Sequence, residues 1–277
     1  MSINYKEKYL KYKFLYLKYK NLIGGSLNHE ERKESFRKVK ENKFMDSIPD
    51  TITNEDIYEG HKNIKIGDLS VYVKIVKGEM DSDDIEIINS MTYSNLVETN
   101  ICPHFPFYYG YYTKNGYTFI VYENCDGTLT SVKSSPEEFD SYLCQMMIAE
   151  YTLLGINKPL ADRHPGNRMY INILKDSYLY YKYKDLSIYI KTMGKLWIEI
   201  DFDMMGMPME SSEYEKQYPD LIQKYFQNWL LERLKKIAQK YKDLIIIIKD
   251  GEKTDEMDGK KIFNSEPYTI FSPSKTD

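Results

Sequence analysis

Cysteine is scarce in this chain: Cys102, Cys125 and Cys144 are odd in number and far apart, with neither a CxxC pair nor a histidine at ligand spacing. That excludes a disulfide scaffold, points away from structural zinc, and leads us to expect reduced thiols in an intracellular compartment. Arginine is nearly as rare. Arg32, Arg37, Arg163, Arg168 and Arg233 are the whole set in a chain dominated by lysine, so the fork geometry that reads bases and phosphates is thin and no specific nucleic acid is expected as a partner. Neither sign of charge prevails, since 38 basic residues against 42 acidic ones give 38 − 42 = −4. Long apolar runs are missing too. The longest, Leu244 to Ile248, is strand length, far below the roughly 20 residues that cross a bilayer, and lysines interrupt the N-terminus where a secretory signal would need an apolar core.

What is present is 277 residues with 42% hydrophobic content, enough for one sizeable core or two lobes around a cleft. Tyr5, Tyr9, Tyr12, Tyr16, Tyr19 and Ile23 recur at spacings of 4, 3, 4, 3 and 4, which predicts an aromatic seam along a helix. Six lysines face one glutamate over residues 1–20, and Gly24 and Gly25 supply a stop. Residues 1–25 therefore read as a basic amphipathic helix that docks to an acidic partner or a membrane surface, packs on the main domain, or serves as a removable tag. Residues 26–60 are polar and read as a linker carrying one surface helix from His29 to about Lys43.

From Ile64 the pattern becomes strand-like: Leu69, Val71, Val73 and Ile75 alternate with a second set that includes Lys74. A helix over about Asp83 to Glu98 follows, then two strands around the turn Lys114, Asn115, Gly116. Ser135 and Pro136, with Glu137 and Glu138 behind them, open a long helix. A strand over Arg168 to Leu174, a tyrosine-rich connection, and a hairpin of Leu186–Lys191 and Leu196–Phe202 joined at Met193 and Gly194 come next. Pro219 starts another long helix, and the tail from Asp250 is expected to fray.

The chemistry concentrates in two places. The loop Asp162, Arg163, His164, Pro165, Gly166, Asn167 puts an acid and an amide five apart, just before a strand, and a later strand runs into Asp201, Phe202 and Asp203. Phosphoryl transfer asks for such a set: one carboxylate for the hydroxyl proton, then an amide and a second carboxylate for Mg²⁺. A lysine on an earlier strand and a glutamate on the following helix complete it, and Lys74 and Glu86 occupy those places.

With these motifs go Ile101, Cys102, Pro103, His104, Phe105, Pro106 before a Tyr- and Gly-rich strand, the run Tyr122, Glu123, Asn124, Cys125, Asp126, Gly127, and the Lys-Tyr-Leu-Lys-Tyr-Lys opening that ends in Ile-Gly-Gly. Together they resemble protein-kinase-like proteins of giant DNA viruses related to mimiviruses, over residues 1–25 and 64–205. The resemblance implies an α+β, bilobal protein-kinase-like fold with a β lobe at 61–126, a mainly helical lobe at 127–249 and a charged tail at 250–277. It implies ATP and Mg²⁺ as cofactors, a protein hydroxyl as acceptor, and a place in the host cytoplasm, at the viral factory, or in the virion. Lys74 would meet the α and β phosphates and pair with Glu86, Asp162 would be the base, and Asn167 and Asp201 would hold Mg²⁺. Glu123, Asn124 and Cys125 would meet the adenine, and His164 the transferring group.

Departures accompany the match. The strand region before Lys74 offers only Gly60 and Gly67, so no glycine-rich loop is present; Leu160 stands where the catalytic loop usually has histidine; and Asp203 replaces the glycine of the metal motif. Asp203 reads either as an extra metal carboxylate or as the mark of a pseudokinase that binds without turnover. Asp-Arg-His-x-x-Asn is also the form found in phosphoinositide kinases, which keeps a lipid acceptor open.

Overall fold

Alternating branched residues build the first sheet. In a computed structural model that describes residues 29–41, 48, 51–66, 69–156, 165–200, 219–252, 255–264 and 266–269, β1 (His61–Ile66), β2 (Leu69–Lys77), β3 (Tyr108–Lys114) and β4 (Tyr117–Glu123) form an antiparallel sheet of order β1-β2-β4-β3. Val71, Val73 and Ile75 point to one face and pack with Phe119, Val121 and Val39. Period-two geometry then sends Lys74 to the other face. The β3–β4 turn carries Asn115 at φ 55° and Gly116 at φ 75°, the left-handed pair that a two-residue hairpin requires. Helix α3 (Ile85–Glu98) packs Ile87, Tyr93, Leu96 and Val97 into a core shared with Ile120 and Tyr122. It is preceded by α1 (His29–Glu41) and α2 (Asn54–Glu59).

The second half overturns the expectation of a mainly helical lobe. Among the described residues there, only α4 (Pro136–Gly155) and α5 (Pro219–Lys240) are α-helical, beside two sheets. The first holds β5 (Gly127–Thr128), β6 (Arg168–Asn172) and β9 (Lys195–Glu199) in the order β5-β6-β9. The second holds β7 (Ser177–Tyr183), β8 (Leu186–Lys191), β10 (Ile245–Lys249) and β11 (Lys261–Ile262) in the order β10-β8-β7-β11, with β12 (Tyr268–Thr269) also on β7. The α+β class stands; the bilobal kinase-like architecture with a helical second lobe does not.

Three local expectations are corrected with it. The tyrosine-rich connection is strand β7. The turn at Met193 and Gly194 forms, with both residues at positive φ, but its flanking strands separate: β8 pairs with β7 and β10, whereas β9 pairs with β6. The tail is ordered into the core as far as Phe263, Asn264 and Tyr268, all buried. Helix α4 joins the two halves, since Cys144, Ile148 and Tyr151 enter the second core while Tyr142, Met146, Ala149 and Leu153 enter the core under α3.

Helix α1 is no tether. His29, Arg32, Phe36 and Val39 are buried, and the Arg32 guanidinium, 1% exposed, meets the Glu123 carboxylate, 10% exposed, at 2.7 Å. Its remaining donors go to the carbonyls of Pro103 at 2.8 Å and Phe105 at 2.5 Å. The expected helix over residues 5–23, and any cut after Gly25, lie outside the described residues.

Two buried imidazoles couple this packing to pH. His104 donates from Nδ1 to the Trp197 carbonyl at 2.8 Å and accepts at Nε2 from the Tyr181 hydroxyl at 2.6 Å. Burial, aided by the Arg32 charge and opposed by the Trp197 bond, lowers its pKa to about 3. His29 bridges Asn100 and Tyr268, and burial lowers it to about 4. Both stay neutral when folded and take up protons when unfolded, so stability is full above about pH 6.5 and falls with acidification until the folded values are reached. Between pH 7 and 5 each imidazole should remove roughly 2 kcal/mol. Urea titrations should show this loss, and a flat profile over that range would contradict it.

Candidate functional site

Strand β2 places Lys74 and helix α3 places Glu86. The carboxylate sits in the first turn of α3, where unpaired backbone N–H groups favour negative charge. It meets Lys74 Nζ at 2.8 Å, with Lys74 25% exposed and Glu86 3% exposed. The Tyr122 hydroxyl lies 3.5 Å from Glu86 Oε1 and 2.8 Å from Ser90 Oγ. The ion pair is thus held from behind by a polar network in the core, while the lysine faces a cavity of about 430 Å³, a size typical of small-molecule sites.

That cavity gathers most of the expected residues. Lys74 and Glu86 line one side, Glu123, Asn124 and Cys125 a second, and Gly166 and Asn167 come from the second half of the chain. The Glu123 carboxylate is consumed by Arg32 and by the Phe107 N–H at 3.1 Å, and the Glu123 N–H by the Phe107 carbonyl at 2.8 Å. This wall is therefore rigid where it leaves β4. Burial raises the Cys125 thiol far above its ordinary range, so it offers a neutral surface and no nucleophile. Just beyond, a Cβ on Gly127 would stand 2.6 Å from the Tyr170 hydroxyl, so a side chain there would have to push that ring aside.

On the opposite side the geometry follows from β6 and β9. Arg168 and Glu199 stand directly opposite each other across these strands and form a buried ion pair. The Ile200 N–H donates to the Asn167 carbonyl at 3.1 Å. The strand that begins after Asn167 and the strand that ends before Asp201 are therefore side by side, and Asn167 and Ile200 both line the cavity. Asp162, His164, Asp201 and Asp203 themselves lie outside the described residues.

Residues not anticipated as site residues also line it: His61 and Asn63 from β1, Tyr72 from β2, and Pro106, Tyr122, Thr128 and Met169. The signal for the first two was strand parity, because His61 and Asn63 alternate with Lys62 and Ile64. The lining thus combines an ammonium paired at its rear, the Asn167 amide, and the Glu123–Cys125 segment with Met169. Among the described residues no cluster of His, Cys, Asp and Glu forms a metal site by itself, and no helix is long and apolar enough to cross a membrane. Comparison with known proteins gives no matching family model and no matching curated protein.

Proposed function

We propose that the cavity binds ATP with Mg²⁺ and that the chain is a phosphotransferase acting on a protein hydroxyl. The observation that carries this reading is the Lys74–Glu86 pair at 2.8 Å, facing Asn167 across one cavity. The reading keeps the chemistry implied by the resemblance to viral protein-kinase-like proteins and drops the helical second lobe. It keeps as well the expected site of action, the host cytoplasm or the virion.

Magnesium-bound ATP supplies an activated terminal phosphoryl group. The chain's residues position it. Lys74, oriented by Glu86, neutralises phosphate charge; the Glu123–Cys125 wall receives the base; and Asn167 offers an amide oxygen to the metal. Asp201 follows Ile200 in sequence and is the second proposed metal ligand, with Asp203 as the third. Asp162 orients the acceptor hydroxyl and takes its proton, and His164 hydrogen-bonds the group in transit.

Thermal unfolding with ATP, with and without Mg²⁺, tests the reading, followed by phosphate transfer to a general protein acceptor. ATP with Mg²⁺ at about a hundred times its Kd should stabilise the fold by about 2.7 kcal/mol; no shift would reject it. Asp201→Asn should abolish the difference made by Mg²⁺. Two departures favour a second reading, a nucleotide-binding module without turnover: β1 and β2 are joined by residues 67 and 68 alone, and Asp203 stands at the usual glycine. Binding without transfer would select it, and a gain of activity in Asp203→Gly would show that the aspartate is damage to the site.

A further inference from the structure

We propose that His61 and Asn63 on β1 take over the work of the missing glycine-rich loop, His61 contacting the phosphates of the nucleotide and Asn63 its nucleoside end. This rests on the ATP reading above. A phosphate-cradling loop needs several successive backbone N–H groups turned toward the ligand. With Ile66 paired to Leu69, only two residues remain to connect β1 and β2, too few for such a cradle, so β1 reaches the cleft through side chains.

The register of the sheet acts as a ruler. Val71 stands opposite Glu123 and Tyr72 opposite Tyr122, which fixes the end of β2 nearest the Glu123–Cys125 wall. On its other side Tyr72 stands opposite Asn63, and Lys74 opposite His61. All four side chains have the same parity and line the same cavity. Lys74 lies two residues beyond Tyr72, about 7 Å farther along the strand. A base seated against the wall therefore lies under Tyr72 and Asn63, and its phosphates extend to Lys74 and His61.

His61 is built for this. Its Nδ1 donates to the Glu59 carbonyl at 3.2 Å, and its ring stacks on Tyr72 with centroids 6.0 Å apart. With Nδ1 tethered, Nε2 is the nitrogen left to serve a ligand, and as an imidazolium it donates to a phosphate oxygen. The charged groups that face it are Lys74 on β2 and, behind that lysine, Glu86 on α3. Asn63 offers both a donor and an acceptor, the combination that ribose hydroxyls and base edges use.

Calorimetric titration of the full chain with ATP–Mg²⁺ and with adenosine tests the division of labour. His61→Ala should weaken ATP about tenfold while leaving adenosine within about twofold, and His61→Lys should restore ATP affinity. Asn63→Ala should weaken both ligands alike. Unchanged ATP affinity in His61→Ala would overturn the inference and leave the ATP reading standing; equal losses for ATP and adenosine in that variant would overturn the phosphate assignment. Absence of ATP binding by the unaltered chain would overturn both.

Discussion

Asp162→Ala should lower phosphoryl transfer by about 10²- to 10⁴-fold while the variant still folds and still gains stability from ATP with Mg²⁺. The asymmetry is the informative part. Asp162 lies five residues before Asn167, and Asn167 shares the cavity with Lys74 and Glu86. Its proposed partner is the acceptor hydroxyl and not the nucleotide. Removing it therefore subtracts proton transfer and alignment of the nucleophile from the transition state, and leaves the ground-state hold on ATP unchanged. Single-turnover transfer and thermal shift, measured on the same preparation, separate the two. A fully active variant would sink the base assignment, and a variant that lost ATP binding would place Asp162 on the metal.

Arg32→Ala should destabilise the chain by about 3–5 kcal/mol, because it leaves the Glu123 carboxylate buried without its cation. A typical domain has only about 5–15 kcal/mol in total, so this one change should bring the protein close to unfolding at 37 °C. The cost extends beyond the ion pair: Arg32 also satisfies the carbonyls of Pro103 and Phe105, and Glu123 accepts from the Phe107 N–H. Arg32→Met combined with Glu123→Met should be markedly less damaging than Arg32→Ala, since apolar replacement of both partners removes the uncompensated charge. Urea unfolding of the three proteins decides it; a double variant as unstable as the single one would show that the carbonyl contacts dominate.

Elements whose signal is local were legible in the sequence. Helices α3, α4 and α5, strand β2 and the β3–β4 hairpin announce themselves through periodicity, capping residues and turn chemistry within a few positions of each other. Lys74 and Glu86 were legible for the same reason, as a strand residue followed by a residue in the first turn of the next helix. What failed was long-range. Helix α1 reads as polar and solvent-facing because nothing nearby pairs with Arg32; its partner Glu123 is 91 residues away.

Tyrosine hid β7. Its alternation is between Tyr178, Tyr180 and Lys182 on one face and Leu179, Tyr181 and Tyr183 on the other, and a side chain that is apolar along its body and polar at its tip blurs a two-letter pattern. Met193 and Gly194 gave the right turn and the wrong pairing, since turn conformation is set locally while the choice of neighbouring strand is made by the rest of the sheet. The helical second lobe was extrapolated from the stripe of the long helix after Pro136 and from the implied fold, and no periodicity in residues 168–200 supported it. His61 and Asn63 were overlooked because β1 is short and mostly polar, and its importance comes from standing opposite Tyr72 and Lys74.

The contact between His29 Nδ1 and the Tyr268 hydroxyl, 2.7 Å across 239 residues, bears on the order in which the protein is made. Helix α1 leaves the ribosome well before Tyr268, so its first turn finds this partner only after all three sheets' strands up to β11 have followed. Until then the helix must be held by its earlier partners, Arg32 on Glu123, His29 and Lys33 on Asn100, and Phe36 and Val39 in the core. A chain cut short before Tyr268 would therefore do its harm at helix α1, beside the Glu123–Cys125 wall.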